Sequence, residues 1–81
     1  MVVSINFMGT QQMVTNTSSI DMPVSNHTTV KDALDFIKQR YPALPLENGA
    51  LFITVNQEIT PLDKVLSAND SITFIPAIGG G

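Results

Sequence analysis

One amphipathic stripe divides this chain into two stretches of alternating sequence. Val30, Ala33, Leu34, Ile37 and Tyr41 fall at i, i+3, i+4, i+7 and i+11, the spacing that stacks apolar side chains along one side of an α-helix. Lys31, Asp32, Asp35, Lys38 and Gln39 take the other side. Thr29, with Asp32 three residues on, can cap the helix start. Pro42 ends the helix, because it lacks a backbone donor and restricts Tyr41 before it. A three-turn helix with one apolar stripe needs a flat apolar surface to cover it, and the sequence on either side supplies the period of a half-buried sheet.

On the N-terminal side Val3, Ile5 and Phe7 alternate with Ser4 and Asn6, which predicts a first strand. Gly9 to Gln12 reads as a short polar interruption. Met13 to Val24 then reads as extended, with Ile20, Met22 and Val24 alternating, so the two segments are expected to form a hairpin. After the helix, residues 43 to 50, with Pro45, Asn48 and Gly49, read as a loop. Leu51, Ile53 and Val55 begin a further strand that is expected to end near Asn56. Thr60-Pro61-Leu62-Asp63 offers a capping hydroxyl, a proline and an acid at helix-start positions, which predicts one helical turn carrying Leu62, Val65 and Leu66. Ser67 to Asp70 turns the chain into a last strand over Ile72 to Ile75. The order strand, strand, helix, strand, short turn, strand suits a single sheet with the long helix across one face, an α+β arrangement.

With 81 residues the chain makes one domain. Hydrophobic residues are 43% and charged residues 14%, which suits a packed core and not a disordered segment. The net charge is -3, and the four cations Lys31, Lys38, Arg40 and Lys64 are scattered, so no basic footprint for nucleic acid exists. Without cysteine the chain has no disulfide, thiolate metal site or thiol nucleophile of its own. Neither a basic and apolar leader nor a run of ~18 apolar residues is present, and a cytoplasmic location without membrane contact is expected. The seven carboxylates are distributed among turns, caps and the helix surface. His27 stands without a second metal ligand at a suitable spacing. None of these groups forms an acid/base pair, a nucleophile motif or a phosphate loop.

What remains is the ending, Gly79-Gly80-Gly81, after the apolar run Phe74-Ile75-Pro76-Ala77-Ile78. The expected division is a folded unit over residues 1–76 and a flexible arm over 77–81. An arm without β-carbons can thread a narrow tunnel in another protein. It would present there the carboxylate of Gly81, ionised at neutral pH and able to attack the α-phosphate of ATP.

The chain resembles the MoaD/ThiS-like β-grasp sulfur carriers, and within them the small subunits of molybdopterin synthase. The residues that carry the resemblance are Val55-Asn56-Gln57 at the end of a strand, Pro61-Leu62 ahead of the Asn69-Asp70 turn, and Ile72-Thr73-Phe74-Ile75-Pro76 leading to the glycines. The resemblance implies a ubiquitin-like β-grasp fold and a protein that is not an enzyme by itself. By the same resemblance, Gly81 would be adenylated by an E1-like enzyme of the MoeB/ThiF type, which uses ATP, and converted to a thiocarboxylate by a sulfur donor. It would then be inserted with Gly80 into the MoaE-type large subunit of molybdopterin synthase, to donate sulfur to a pterin precursor. No bound cofactor or metal is implied. Partners would dock on an apolar surface at the end of the sheet, at positions matching Phe7, Ile59 and Ile75, with Pro76 and Gly79 leading to the reactive end. Ordinary core packing is the competing reading for these three apolar residues. Carriers for thiamin or cysteine synthesis, and protein modifiers that form isopeptides, share the glycine ending and stay open as alternatives.

Overall fold

The computed structural model describes residues 1–44, 46 and 51–76. In chain order the elements are β1 (Val2–Asn6), α1 (Gln11–Thr15), β2 (Ser19–Pro23), α2 (Val30–Arg40), β3 (Leu51–Val55), β4 (Glu58–Ile59) and β5 (Ser71–Pro76). The five strands form one sheet in the order β2-β1-β5-β3-β4. β1 and β5 run parallel at its centre, and the other pairs are antiparallel. With α2 against one face, this is the ubiquitin-like β-grasp arrangement. Pro45, Asn48 and Gly49 of the expected loop and the arm over 77–81 lie outside the described residues.

The alternation in the sequence becomes the two faces of the sheet. Val3 and Ile5 of β1, Met22 of β2, Ile53 and Val55 of β3, and Ile72 and Phe74 of β5 are buried on one face. They share a single apolar cluster with Val30, Ala33, Leu34 and Ile37 of α2, and Leu44, Leu46 and Leu66 close its rim. Tyr41, the last residue of the expected stripe, caps the helix and is only partly buried. The start of α2 is a reciprocal capping box: Thr29 Oγ1 accepts from Asp32 N, and Asp32 Oδ2 accepts from Thr29 N at 2.9 Å. That arrangement satisfies two of the donors a helix leaves open at its start.

Three local expectations are corrected. Residues Met13 to Thr15 are not extended, and Gly9 to Gln12 is more than an interruption. Gly9 turns at φ +40, and Gln11–Thr15 form α1, which ends on Asn16 in the left-handed region at φ 59. The helix was hidden because its pattern is inverted. Its buried residues are Gln11 and Thr15, whereas its apolar Met13 is 80% exposed. The expected hairpin of β1 and β2 does form, around this helix.

The helical turn expected from Thr60 is absent. The segment makes a tight turn in which Lys64 N donates to Pro61 O at 3.3 Å, and Val65 bridges to Thr29. Its carbonyls have another use: Leu62 O accepts from Lys31 N and Lys64 O from Val30 N, both at 2.9 Å. These carbonyls serve the open donors of the first turn of α2, a partnership that local capping chemistry does not signal. Only Leu66 of the three expected apolar residues is buried; Leu62 and Val65 are exposed.

The third β-strand does end at Val55, but a two-residue strand follows it. Asn56 and Gln57, at φ 54 and 74, form the tight turn between β3 and β4. Two consecutive left-handed residues match the twist of a two-residue hairpin. Asn56 also joins this hairpin to β5: its Oδ1 accepts from Ser71 N and its Nδ2 donates to Asp70 Oδ1, both at 3.0 Å.

Candidate functional site

Because β5 runs parallel to β1, the chain leaves the sheet at the end where β1 gives way to α1. The last register pair on the other side of β5 is Leu51 with Pro76. Proline suits this place. Phe74 directs its carbonyl toward the β1 side, where it accepts from Gln11. The two-residue period therefore turns the backbone of Pro76 to the same side, where β1 has already departed and no amide donor is required. Gly79, Gly80 and Gly81 lie outside the described residues.

The three apolar residues named for partner docking are not all brought together. Phe7 is 4% exposed and packs edge-to-face on Tyr41, with ring centroids 5.6 Å apart and planes at 82°. Phe7 thus belongs to the core, beneath the face that carries α2, and does not contribute to an open surface. Ile59 and Ile75 do share the opposite face. Ile75 pairs with Phe52, and Ile59 pairs with Thr54, two residues along the same side of β3. Ile59 is 75% and Phe52 51% exposed. Phe52 is the residue that sequence reasoning passed over, although its place between Leu51 and Ile53 in an apolar run put it on the face opposite Ile53.

The outward positions around this patch, Ser4, Asn6, Thr54, Ser71 and Thr73, are neutral, and Asp21 pairs with Ser4 on the edge strand β2. Asn6 Nδ2 donates to Ser71 Oγ across the parallel pair. The site is thus an apolar triangle of Phe52, Ile59 and Ile75 with neutral neighbours on β1, β3 and β5, one residue from the end of β5. Two exposed apolar side chains and a half-buried one on a sheet face suit contact with another protein surface and carry no chemistry of their own.

Lys31 Nζ donates to Asp35 Oδ2 at 2.9 Å on the solvent side of α2, and that hydrogen bond to the carboxylate raises the lysine pKa. Such an exposed i,i+4 pair contributes little to stability. His27 is exposed in the turn before α2, where its N–H donates to Ser25 Oγ at 3.2 Å. Among the described residues no three His, Asp or Glu side chains could hold a metal ion, and no helix is long and apolar enough to cross a membrane.

Comparison with known proteins agrees with this geometry. The ThiS family matches residues 5–81. The molybdopterin synthase sulfur carrier subunit of Mycobacterium tuberculosis is 38% identical over 61 residues, which is 75% of this chain and 74% of that protein. Among solved structures, SAMP1 from Haloferax volcanii superposes with a TM-score of 0.81 over 99% of each chain at 22% identity. The fold is also shared, at a TM-score of 0.65 and 24% identity over the full length of both chains, with a chain from the complex of subunits 1 and 2 of the Helicobacter pylori molybdopterin-converting factor. The sheet order, the proline-ended central strand, the glycine ending and a family match over nearly the whole sequence together show that this chain belongs to the ThiS family.

Proposed function

We propose that this protein is a sulfur carrier for molybdopterin synthesis, with the carboxylate of Gly81 as its reactive group. Support comes chiefly from one juxtaposition: the strand that leads to the glycines ends beside the open apolar triangle of Phe52, Ile59 and Ile75. A partner that covers the triangle receives the chain end at a fixed place. Family membership and the name of the Mycobacterium tuberculosis relative supply the chemistry.

In this reading an E1-like enzyme binds the carrier and ATP. A Gly81 carboxylate oxygen attacks the α-phosphorus and pyrophosphate leaves. A donor supplying sulfur at the sulfide level, as hydrosulfide, then attacks the acyl carbon through sulfur and AMP leaves, which gives the thiocarboxylate and a proton. The carrier next docks as the non-catalytic small subunit of a molybdopterin synthase, and the thiocarboxylate sulfur passes to a pterin precursor. ATP is the enzyme's substrate, and the carrier holds no cofactor. A cytoplasmic site of action fits these partners.

The reacting atom must be placed within a few tenths of an ångström, and one added residue displaces it by up to ~3.5 Å. Extension by a single alanine after Gly81, or deletion of Gly80 and Gly81, should abolish carrier-dependent ATP–pyrophosphate exchange and leave the urea unfolding curve unchanged. Exchange that persists in either variant contradicts the proposal.

A further inference from the structure

Past the pair Asn6 and Thr73 the parallel ladder of β1 and β5 stops, because β1 turns away into α1. The carbonyls left behind are closed by two consecutive glutamines of that helix. Gln12 Nε2 donates to Phe7 O at 3.0 Å, at the end of β1. Gln11 Nε2 donates to Phe74 O at 2.9 Å, in β5, while its Oε1 accepts from Met8 N at 2.9 Å. Gln11 is only 4% exposed, one of two buried polar residues among those described. A buried amide with both ends bonded holds its partners in a single geometry. Among the described residues, the bond at Phe74 O is the last one that β5 makes on the β1 side.

We infer that Gln11 is a positioning residue for the reaction at Gly81: it fixes the direction in which the chain leaves the sheet relative to the docking triangle. The inference rests on the reading of Gly81 as the reactive group. From Pro76 to Gly81 there are five residues, a reach of at most ~18 Å. A partner that grips Phe52, Ile59 and Ile75 must find the carboxylate within that reach and at one angle. Ile75, a member of the triangle, is the residue next to the clamped carbonyl. Releasing the clamp leaves Phe52, Ile59 and Ile75 in place, because Ile75 and Pro76 stay paired with Phe52 and Leu51 of β3, but the departing strand loses its restraint on the β1 side. Docking is therefore preserved while the fraction of bound carriers in reactive alignment falls.

The test is steady-state pyrophosphate exchange with the full chain and the adenylating enzyme of the same organism. Gln11→Met keeps the side-chain length and removes both hydrogen bonds. Gln12→Met removes the equivalent bond at β1 from the same helix. The expected result for Q11M is a kcat lowered about tenfold with KM for the carrier within about twofold of the wild type. Q12M should keep both constants within about twofold. Circular dichroism at the assay temperature establishes that each variant is folded. If Q11M is not, Gln11→Asn, which draws the amide back by one carbon, takes its place with the same expectation. An unchanged kcat in the folded variant, an effect confined to KM, or an equal loss in Q12M would overturn the inference. A wild-type chain that supports no exchange with an enzyme active on its other carriers removes the reading of Gly81 itself, and this inference with it.

Discussion

The two faces of the sheet are built from alternate residues of the same strands, yet they do different work. On the inner face Val3, Ile5, Ile53, Val55, Ile72 and Phe74 are closed over by α2. On the outer face the same strands place Ser4, Asn6, Thr54 and Thr73, with Val2 near the far end of β1 and the apolar group of Phe52, Ile59 and Ile75 at the end where β5 leaves the sheet. The first face holds the fold together and the second carries the patch we propose for docking. A side chain's contribution to stability and its contribution to binding should therefore separate by position parity along a strand, even between adjacent residues such as Phe74 and Ile75.

The sharpest way to break this separation is at Phe74, whose side chain is 1% exposed. Phe74→Ala should lower the free energy of unfolding by about 3–5 kcal/mol, a large part of what an 81-residue domain has. Urea denaturation measures it, and a loss below ~1 kcal/mol would mean that the inner face is not the source of stability. At Ile59 the effect should fall on binding. Ile59→Ala should raise the dissociation constant for the adenylating enzyme on the order of tenfold, as measured by calorimetry. Its unfolding free energy should change by no more than ~0.5 kcal/mol. A variant that binds as the wild type does would remove Ile59 from the docking surface. The smallest effect is expected at Thr29, which lies on neither face. Thr29→Ala removes the side-chain half of the capping box and should cost about 1 kcal/mol of stability, with pyrophosphate exchange unaltered.

How much of this was legible in the sequence follows the same division. Positions where one periodicity governs a whole element were readable: α2 from its stripe and its Thr29/Asp32 box, and β1, β3 and β5 from their alternation. The misreadings occur where a segment serves a distant partner. The carbonyls of Leu62 and Lys64 are turned toward the amides of α2, and that use displaces the local helical turn. In α1 the buried side chains are Gln11 and Thr15, chosen for hydrogen bonds, so the apolar pattern points to solvent and imitates a strand. For Phe7 the family resemblance pointed to docking and its alternation with Val3 and Ile5 to the core, and the structure places it in the core. Phe52 was legible too, since alternation with the inward Ile53 and Val55 puts it on the outer face. The clamp at Phe74 O had no local signal at all, because Gln11 and Phe74 are 63 residues apart.

In the proposed function Gly81 becomes a thiocarboxylate. The direct measurement is the mass of the C-terminal peptide after incubation with ATP, a sulfur source and the adenylating enzyme. Exchange of one carboxyl oxygen for sulfur adds nearly the same mass as methionine oxidation, so intact protein would be ambiguous. All four methionines, Met1, Met8, Met13 and Met22, precede Lys64, and tryptic cleavage there releases Val65 to Gly81 free of them. The expected result is a sulfur-for-oxygen gain on that peptide, dependent on ATP and lost when Gly81 is removed. An unmodified peptide in the presence of an enzyme shown to be active, or the same carboxylate found instead in isopeptide linkage to lysines of other proteins, would contradict it.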